Sequence, residues 1–381
     1  MLDPWESLRV NARRQILLAD NGAKGGGGPQ IDIYDLSGDC RYPQLLASAE
    51  VGTGADGDLL VAGIKGHEGA VSPDGRTYYI GDATAFKYYA VDITNTTKPK
   101  VVATFDMGAI GLHAHGLSVS QDGNRVYAVS PGNGAGQALA NPTAPLVNGF
   151  VIFDTSEVQA RLPDPKMKLL SKTLFKDGSG AQHTIEMAVG KKRYMVMVDE
   201  GGSAGFADAQ NNYIDKACAA DMAPFPTARI YDIDDELKPI EVSKLMLETH
   251  DCKNAAIIKL DTVGLASFTY GSHYCSVDNR TNATALACSY FNSGVRVFDI
   301  RDPKRPKEIA YFNPPAASST TGSMHAAFGQ WRAGGPDWCS ARLDFDFGKR
   351  QLVTSCQDSG MLVLQFAAGT WPFNESTPSA E

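Results

Sequence analysis

Residues His273–Phe312 read HYCSVDNRTNATALACSYFNSGVRVFDIRDPKRPKEIAYF. The stretch VRVFD from Val295 alternates side chains and is rich in β-branched and aromatic residues, the signature of a strand. Asp299 closes it, and an aspartate there suits a turn because its carboxylate accepts backbone N–H groups just ahead. A proline-bearing turn and a further strand, KEIAYF, follow. Upstream, HYCSV and ATALACSY flank the polar turn DNRTNAT. The stretch predicts four antiparallel strands joined by short turns.

The same unit recurs. The strand–Asp–Pro-turn–strand element returns in IDIYDLSGDCRYPQLLASAEV from Ile31 and YYAVDITNTTKPKVVATF from Tyr88. It appears again in FVIFDTSEVQARLPDPKMKLLSKTLF from Phe150 and ARIYDIDDELKPIEVSKLML from Ala228, and decays to MLVLQF from Met361. The preceding pair of strands returns as HEGAVSPDGRTYYIGD from His67, HGLSVSQDGNRVYAVS from His115 and HTIEMAVGKKRYMVMVD from His183. Four-stranded units repeated six times predict an all-β chain, a single β-propeller domain over 1–381. The first blade is SLRVN, RQILLAD, IDIYDL and PQLLASAEV; the last lacks a clear fourth strand. A seventh blade is open, because the IIKL run near Ile257 is either part of a blade or an insertion. Long loops are expected at about 131–148, 201–226, 247–271 and 313–338, as pocket lids or as tolerated insertions.

Composition narrows the function classes. Of the 381 residues, 35 are basic and 43 acidic, giving a charge of -8 without a basic stripe, which disfavours nucleic acid as a partner. No apolar run is long enough for a membrane span. GAKGGGGPQ lacks the Lys-Ser/Thr of a phosphate-binding loop and reads as a connection. Neither substrate nor oligomeric state is encoded in any motif.

The histidines fall in phase. Of seven, His67, His115, His183 and His273 stand at one position, with Val71, Val119, Met187 and Val277 each four residues later. The equivalent position in the first blade is near Glu6, and in the last near Ala341 or Arg342. The first strand of a blade lines the centre of a propeller, so these imidazoles are expected to converge on a metal ion. Thiolate-free imidazole sites suit Fe(II) or Cu, with Zn or Mn as alternatives. A structural role repeated in each blade and a metal-free acid–base ring are the competing readings. His113, two residues before His115, shares its side of the strand and is a candidate ligand or proton carrier. Glu68 and Glu186 are candidates for orienting the ligating imidazoles. His325, out of phase, is a candidate extra ligand, and His250 is expected at the surface.

Cys275 and Cys288 flank one hairpin turn and Cys339 and Cys356 another, placing each pair within disulfide reach. Cys218 and Cys252 are a third candidate pair between long loops, leaving Cys40. Such pairs predict an oxidising compartment, hence a periplasmic or secreted protein whose leader is absent from this chain. Buried thiols in a cytoplasmic protein are the alternative.

GVRVFDIRDPKRPKEIAYF, YYAVDITNTTKPKVVATF and ARIYDIDDELKPIEV resemble the LVIVD-repeat β-propellers, mostly bacterial and often exported. The resemblance runs from about Trp5 to Phe366 and implies fold more than function. More remotely, the phased histidines are similar to those of metal-centred propellers, the four-His carotenoid-cleavage-type oxygenases and the copper-dependent methanethiol oxidase group. That similarity implies His67, His115, His183 and His273 as ligands. The expectation is a metal-dependent oxidoreductase or oxygenase acting on a small organic substrate. Its alternatives are a metal-dependent lyase or hydrolase at the same site, and a non-catalytic binding scaffold.

Overall fold

The computed structural model describes residues 6–20, 31–49, 64, 66–132, 139, 143–205, 212–262, 268–316 and 336–372. Within them the chain forms six antiparallel sheets, five of four strands and one of three. The fold is a six-bladed β-propeller. The chain divides into two compact units, residues 1–131 with 149–173, and residues 132–148 with 174–381.

In the first unit, blade 1 is β1 (Arg9–Asn11), β2 (Ile16–Asp20), β3 (Ile31–Asp35) and β4 (Gln44–Ala49). Blade 2 is β5 (Glu68–Val71), β6 (Thr77–Asp82), β7 (Lys87–Asp92) and β8 (Lys100–Asp106). Blade 3 is β9 (Leu117–Val119), β10 (Arg125–Ser130), β11 (Gly149–Asp154) and β12 (Lys168–Leu174), whose last residue falls in the other unit. In the second unit, blade 4 is β13 (Ala181–Val189), β14 (Lys192–Asp199), β15 (Ala228–Asp232) and β16 (Ile240–Leu245). Blade 5 is β17 (Cys275–Val277), β18 (Ala285–Ser289), β19 (Val295–Asp299) and β20 (Lys307–Phe312). Blade 6 is β21 (Asp344–Asp346), β22 (Gln351–Cys356) and β23 (Gly360–Gln365), without a fourth strand among the described residues.

The repeated aspartate does in every complete blade what its chemistry predicts. Asp35, Asp92, Asp154, Asp232 and Asp299 each accept the N–H two residues ahead, at 2.8–3.1 Å. Neighbouring blades bury apolar faces against each other. Ile16, Leu18, Ile31 and Ile33 of blade 1 pack on Tyr78, Ile80, Tyr89 and Val91 of blade 2. Met187, Val196 and Ile230 of blade 4 pack on Leu286, Cys288 and Phe298 of blade 5.

All three expected disulfides are present: Cys218–Cys252, Cys275–Cys288 and Cys339–Cys356, with Cys40 exposed and free. Three disulfides fit folding in an oxidising, extracytoplasmic environment. Among the described residues, no helix is long and apolar enough to cross a membrane.

The long connections hold helices instead of a seventh blade. Asn212–Ala219 and Ala255–Thr262 are α-helical, and the IIKL run lies in the second. Tyr213, Ile214, Phe225, Ile258 and Tyr270 form their small core, and Cys218–Cys252 ties the two loops. His250 corrects the expectation of a surface role: it is buried, its Nδ1 accepting from the Leu247 N–H at 2.9 Å and its Nε2 bonding the Pro226 carbonyl at 2.9 Å.

Candidate metal centre

His67 ends the approach to β5 and donates its backbone N–H to Gly81 O at 2.8 Å, which locks it to blade 2. His115 stands two residues before β9, and its N–H donates to the Tyr88 hydroxyl at 3.0 Å. Tyr88, fully buried on β7, in turn donates to the Val129 carbonyl at 2.6 Å, with the Gly116 carbonyl at 3.1 Å. Gly81 makes this approach possible, since a Cβ there would lie 1.8 Å from the His115 carbonyl oxygen. The two imidazoles consequently meet, ring centroids 4.1 Å apart.

Glu6 completes the group. Its Oε2 lies 3.4 Å from His67 Nε2 and 4.0 Å from His115 Nδ1. The three side chains offer ligand atoms all within 4.8 Å of one another. The separation from His67 is long for a good hydrogen bond. It matches co-ligands of one ion, because atoms bound at about 2.0–2.1 Å with tetrahedral angles stand roughly 3.4 Å apart. Two imidazoles and a carboxylate are a donor set that fits a divalent transition ion.

A buried charged layer lies beside this group. Glu68 is fully buried and accepts from Arg9 Nη2 at 2.9 Å. Asp20 is fully buried and takes the Tyr78 hydroxyl at 3.0 Å. Burial pushes the Asp20 carboxyl up to about 7, against the lowering pull of the Tyr78 hydroxyl, His67 and Arg9.

His113 lies apart from the His67–His115 pair, its ring stacked on Phe86 at 4.4 Å and its Nδ1 bonded to the Pro131 carbonyl at 2.9 Å. In the second unit His183 is buried, its Nε2 accepting from the Cys275 N–H at 3.4 Å and its Nδ1 bonded to Gln182 Oε1. Both ring nitrogens therefore serve the protein. Glu186 pairs with Arg280 at 2.8 Å and is an inter-blade anchor. His273 bonds the Ser340 carbonyl through Nδ1 at 2.7 Å and presents Nε2 to Glu200 Oε2 at 3.2 Å. With the proton on Nδ1, two lone pairs face each other there, so that pair requires a second proton or a cation between them. His325 lies outside the described residues.

Sequence reasoning placed Glu6 at the equivalent blade position without naming it a ligand; its acidic side chain was the available signal. Glu200 and Tyr88 carried none, because neither belongs to the phased set.

No family model matches this chain, and no curated protein matches it. Solved structures do, and they show the fold alone. The chain is similar to a periplasmic gluconolactonase from Pseudomonas aeruginosa, with 11% identity, 93% of this chain and 78% of that one covered, and a TM-score of 0.55. It is similar to the hydrazine synthase of Kuenenia stuttgartiensis at 11% identity, covering 92% and 73%, with a TM-score of 0.52. It is also similar to a hypothetical selenium-binding protein from Sulfolobus tokodaii at 11% identity, covering 91% and 68%, with a TM-score of 0.54.

Proposed function

We propose that this protein is an exported, metal-dependent oxidoreductase that acts on a small organic molecule, with the ion held by His67 Nε2, His115 Nδ1 and Glu6 Oε2. One observation carries the reading: a carboxylate oxygen 3.4 Å and 4.0 Å from two imidazole nitrogens whose rings already touch. Two histidines and one carboxylate leave coordination positions open and favour Fe(II), with Cu(II) also compatible with N and O donors. An ion held there would supply redox chemistry. His67 and His115 would hold it as neutral imidazoles, and Glu6 would offset part of its charge. Tyr88 and Gly81 hold His115 against the His67 blade, so the ligands are placed before the ion arrives.

A hydrolytic reading rests on the same residues. Two His and a Glu also make catalytic zinc sites, where bound water loses its proton near neutral pH. The likeness to a structure named gluconolactonase points the same way.

Metal analysis by ICP-MS on protein purified without a His tag tests both, comparing the wild type with Glu6→Gln and His67→Asn. Near-stoichiometric iron or copper, lost in both variants, together with substrate-dependent oxygen uptake, is the expected result. Zinc in place of iron with lactone or ester hydrolysis moves the assignment to a hydrolase. No bound metal after anaerobic reconstitution with Fe(II), Cu(II) and Zn(II) overturns the proposal.

A further inference from the structure

The three disulfides differ in what they join. Cys275 faces Cys288 across the β17–β18 hairpin, and Cys339 meets Cys356 of β22; all four are at most 4% exposed. Cys218–Cys252 instead ties helix Asn212–Ala219 to the turn ahead of helix Ala255–Thr262, and both of its cysteines are half-buried. An exposed disulfide is the one a thiolate reaches first.

The connections it ties hold the two segments that carry Glu200 and His273. Just after Glu200, Ser203 donates its N–H to the Ala223 carbonyl at 3.4 Å. Gly202 is pressed so close that a Cβ would stand 2.0 Å from the Pro224 carbonyl oxygen. Just before His273, the Ser272 N–H donates to the Pro226 carbonyl at 3.1 Å, and a Cβ on Gly271 would stand 1.9 Å from the Pro226 ring. Residues 223–226 thus clamp both segments. The disulfide anchors this clamp from two sides. Cys218 packs on the small core that holds Phe225 and Tyr270. Cys252 follows His250 by two residues, and His250 Nε2 bonds the Pro226 carbonyl at 2.9 Å. Helices of eight residues do not hold their shape alone, so the core and the cross-link must do it for them.

We propose that Cys218–Cys252 is a redox switch: its reduction by a dithiol frees the clamp, and with it the fixed 3.2 Å approach of His273 Nε2 to Glu200 Oε2. One thiolate of the dithiol attacks either cysteine sulfur, forms a mixed disulfide and expels the other cysteine as a thiolate, which takes up a proton. The second thiolate then breaks the mixed disulfide. The dithiol leaves as a disulfide, having given up two electrons and two protons, and Cys218 and Cys252 remain as thiols. The other two disulfides stay closed because the strands bury them.

The test treats the full chain, its Cys40 first blocked with N-ethylmaleimide, with graded dithiothreitol and then with iodoacetamide. Peptide mass spectrometry reads the labelled cysteines. Cys218 and Cys252 are expected to label at dithiol concentrations about tenfold below those that open the other two pairs. At that point the Ser203 and Ser272 amides should exchange hydrogen about tenfold faster while β13–β20 keep their protection. The imidazole carbon-13 resonance of His273, assigned by its absence in His273→Gln, should shift with them, and oxidised dithiothreitol should reverse both changes. The Cys218→Ser/Cys252→Ser variant should show the fast amides without any dithiol, which separates the bond from side effects of the reductant. Three disulfides that open together overturn the proposal. So does a reduced Cys218–Cys252 pair that leaves either the two amides or the His273 resonance unmoved, since the bond then controls nothing beyond its own helices. Loss of protection throughout blades 4 and 5 also overturns it, because that is unfolding and not switching.

Discussion

The Tyr88 hydroxyl accepts the backbone N–H of His115 at 3.0 Å and donates to the Val129 carbonyl at 2.6 Å, joining blade 2 to the entry of blade 3. A single oxygen thereby sets where one proposed ligand stands relative to the blade that carries the other. Tyr88→Phe keeps the ring and removes the oxygen. It leaves buried polar groups unpaired, at a cost of about 1–3 kcal/mol. Metal affinity should fall several-fold while the three ligand side chains remain. Competition with a chelator of known affinity, alongside a thermal melt, checks this; unchanged affinity would show that His115 is held by something else.

His250 ties stability to pH. It is fully buried and accepts the Leu247 N–H, and burial pulls its pKa down to about 4. The unfolded chain titrates near 6.5. A depressed folded-state value means that stability is fully present above about pH 6.5. It is lost as pH falls towards 4, with a contribution on the order of 3 kcal/mol over that window. Urea melts at pH 7.0 and 4.5 should show the loss, and His250→Asn should flatten that segment of the profile while lowering stability at pH 7. An equal slope in the variant would assign the acid sensitivity elsewhere.

The fold was legible because one local rule repeats. An aspartate that bonds the N–H two residues ahead ends the third strand of all five complete blades. Cysteines equidistant from a turn must face each other, as Cys275 and Cys288 do in register. The site was only partly legible. Phase fixes a residue's place along a strand but not the direction of its side chain. His67 and His115 turn towards each other, whereas His183, at the same position, spends both nitrogens on Cys275 and Gln182. Glu68 meets Arg9 of β1 and Glu186 meets Arg280 of the β17–β18 turn, contacts that strand spacing does not report. The IIKL run was ambiguous because four apolar residues fit a buried strand as well as a helix.

The Cys218–Cys252 bond, with a sequence separation of 34, closes a loop that holds β15 and β16 and joins the two helical connections. Loop-closure entropy gives it about 3–4 kcal/mol. The Cys218→Ser/Cys252→Ser double variant should therefore open the two helical connections, residues 212–222 and 248–262, locally. The blades, held by their own cores, should keep their protection. Hydrogen exchange with peptide resolution reads this directly: faster exchange across the insertion with β13–β16 unchanged is expected. Loss of protection throughout blade 4 would mean that the insertion and the blade unfold as one.

Arg229 is a buried charge of blade 4. It is 1% exposed, and its guanidinium lies 4.1 Å over the Phe175 ring. Nη1 reaches Asp177 at 3.0 Å and Glu241 at 3.1 Å, and Nη2 donates to the Asp177 carbonyl at 2.9 Å. Asp177 also pairs with Lys244, and these cations hold its carboxyl down at about 2 despite burial. Nη2 also lies 3.7 Å from the fully buried Asp199, so Arg229→Ala leaves Asp199 without its cation and Asp177 with Lys244 alone, and breaking such a buried pair costs about 3–5 kcal/mol. Arg229→Lys should recover less than half of that loss, because a single ammonium cannot serve both oxygens and stack on Phe175. Equilibrium unfolding of the wild type and the two variants tests the order. A lysine variant as stable as the wild type would show that charge alone, and not the planar fork, is what blade 4 requires at this position.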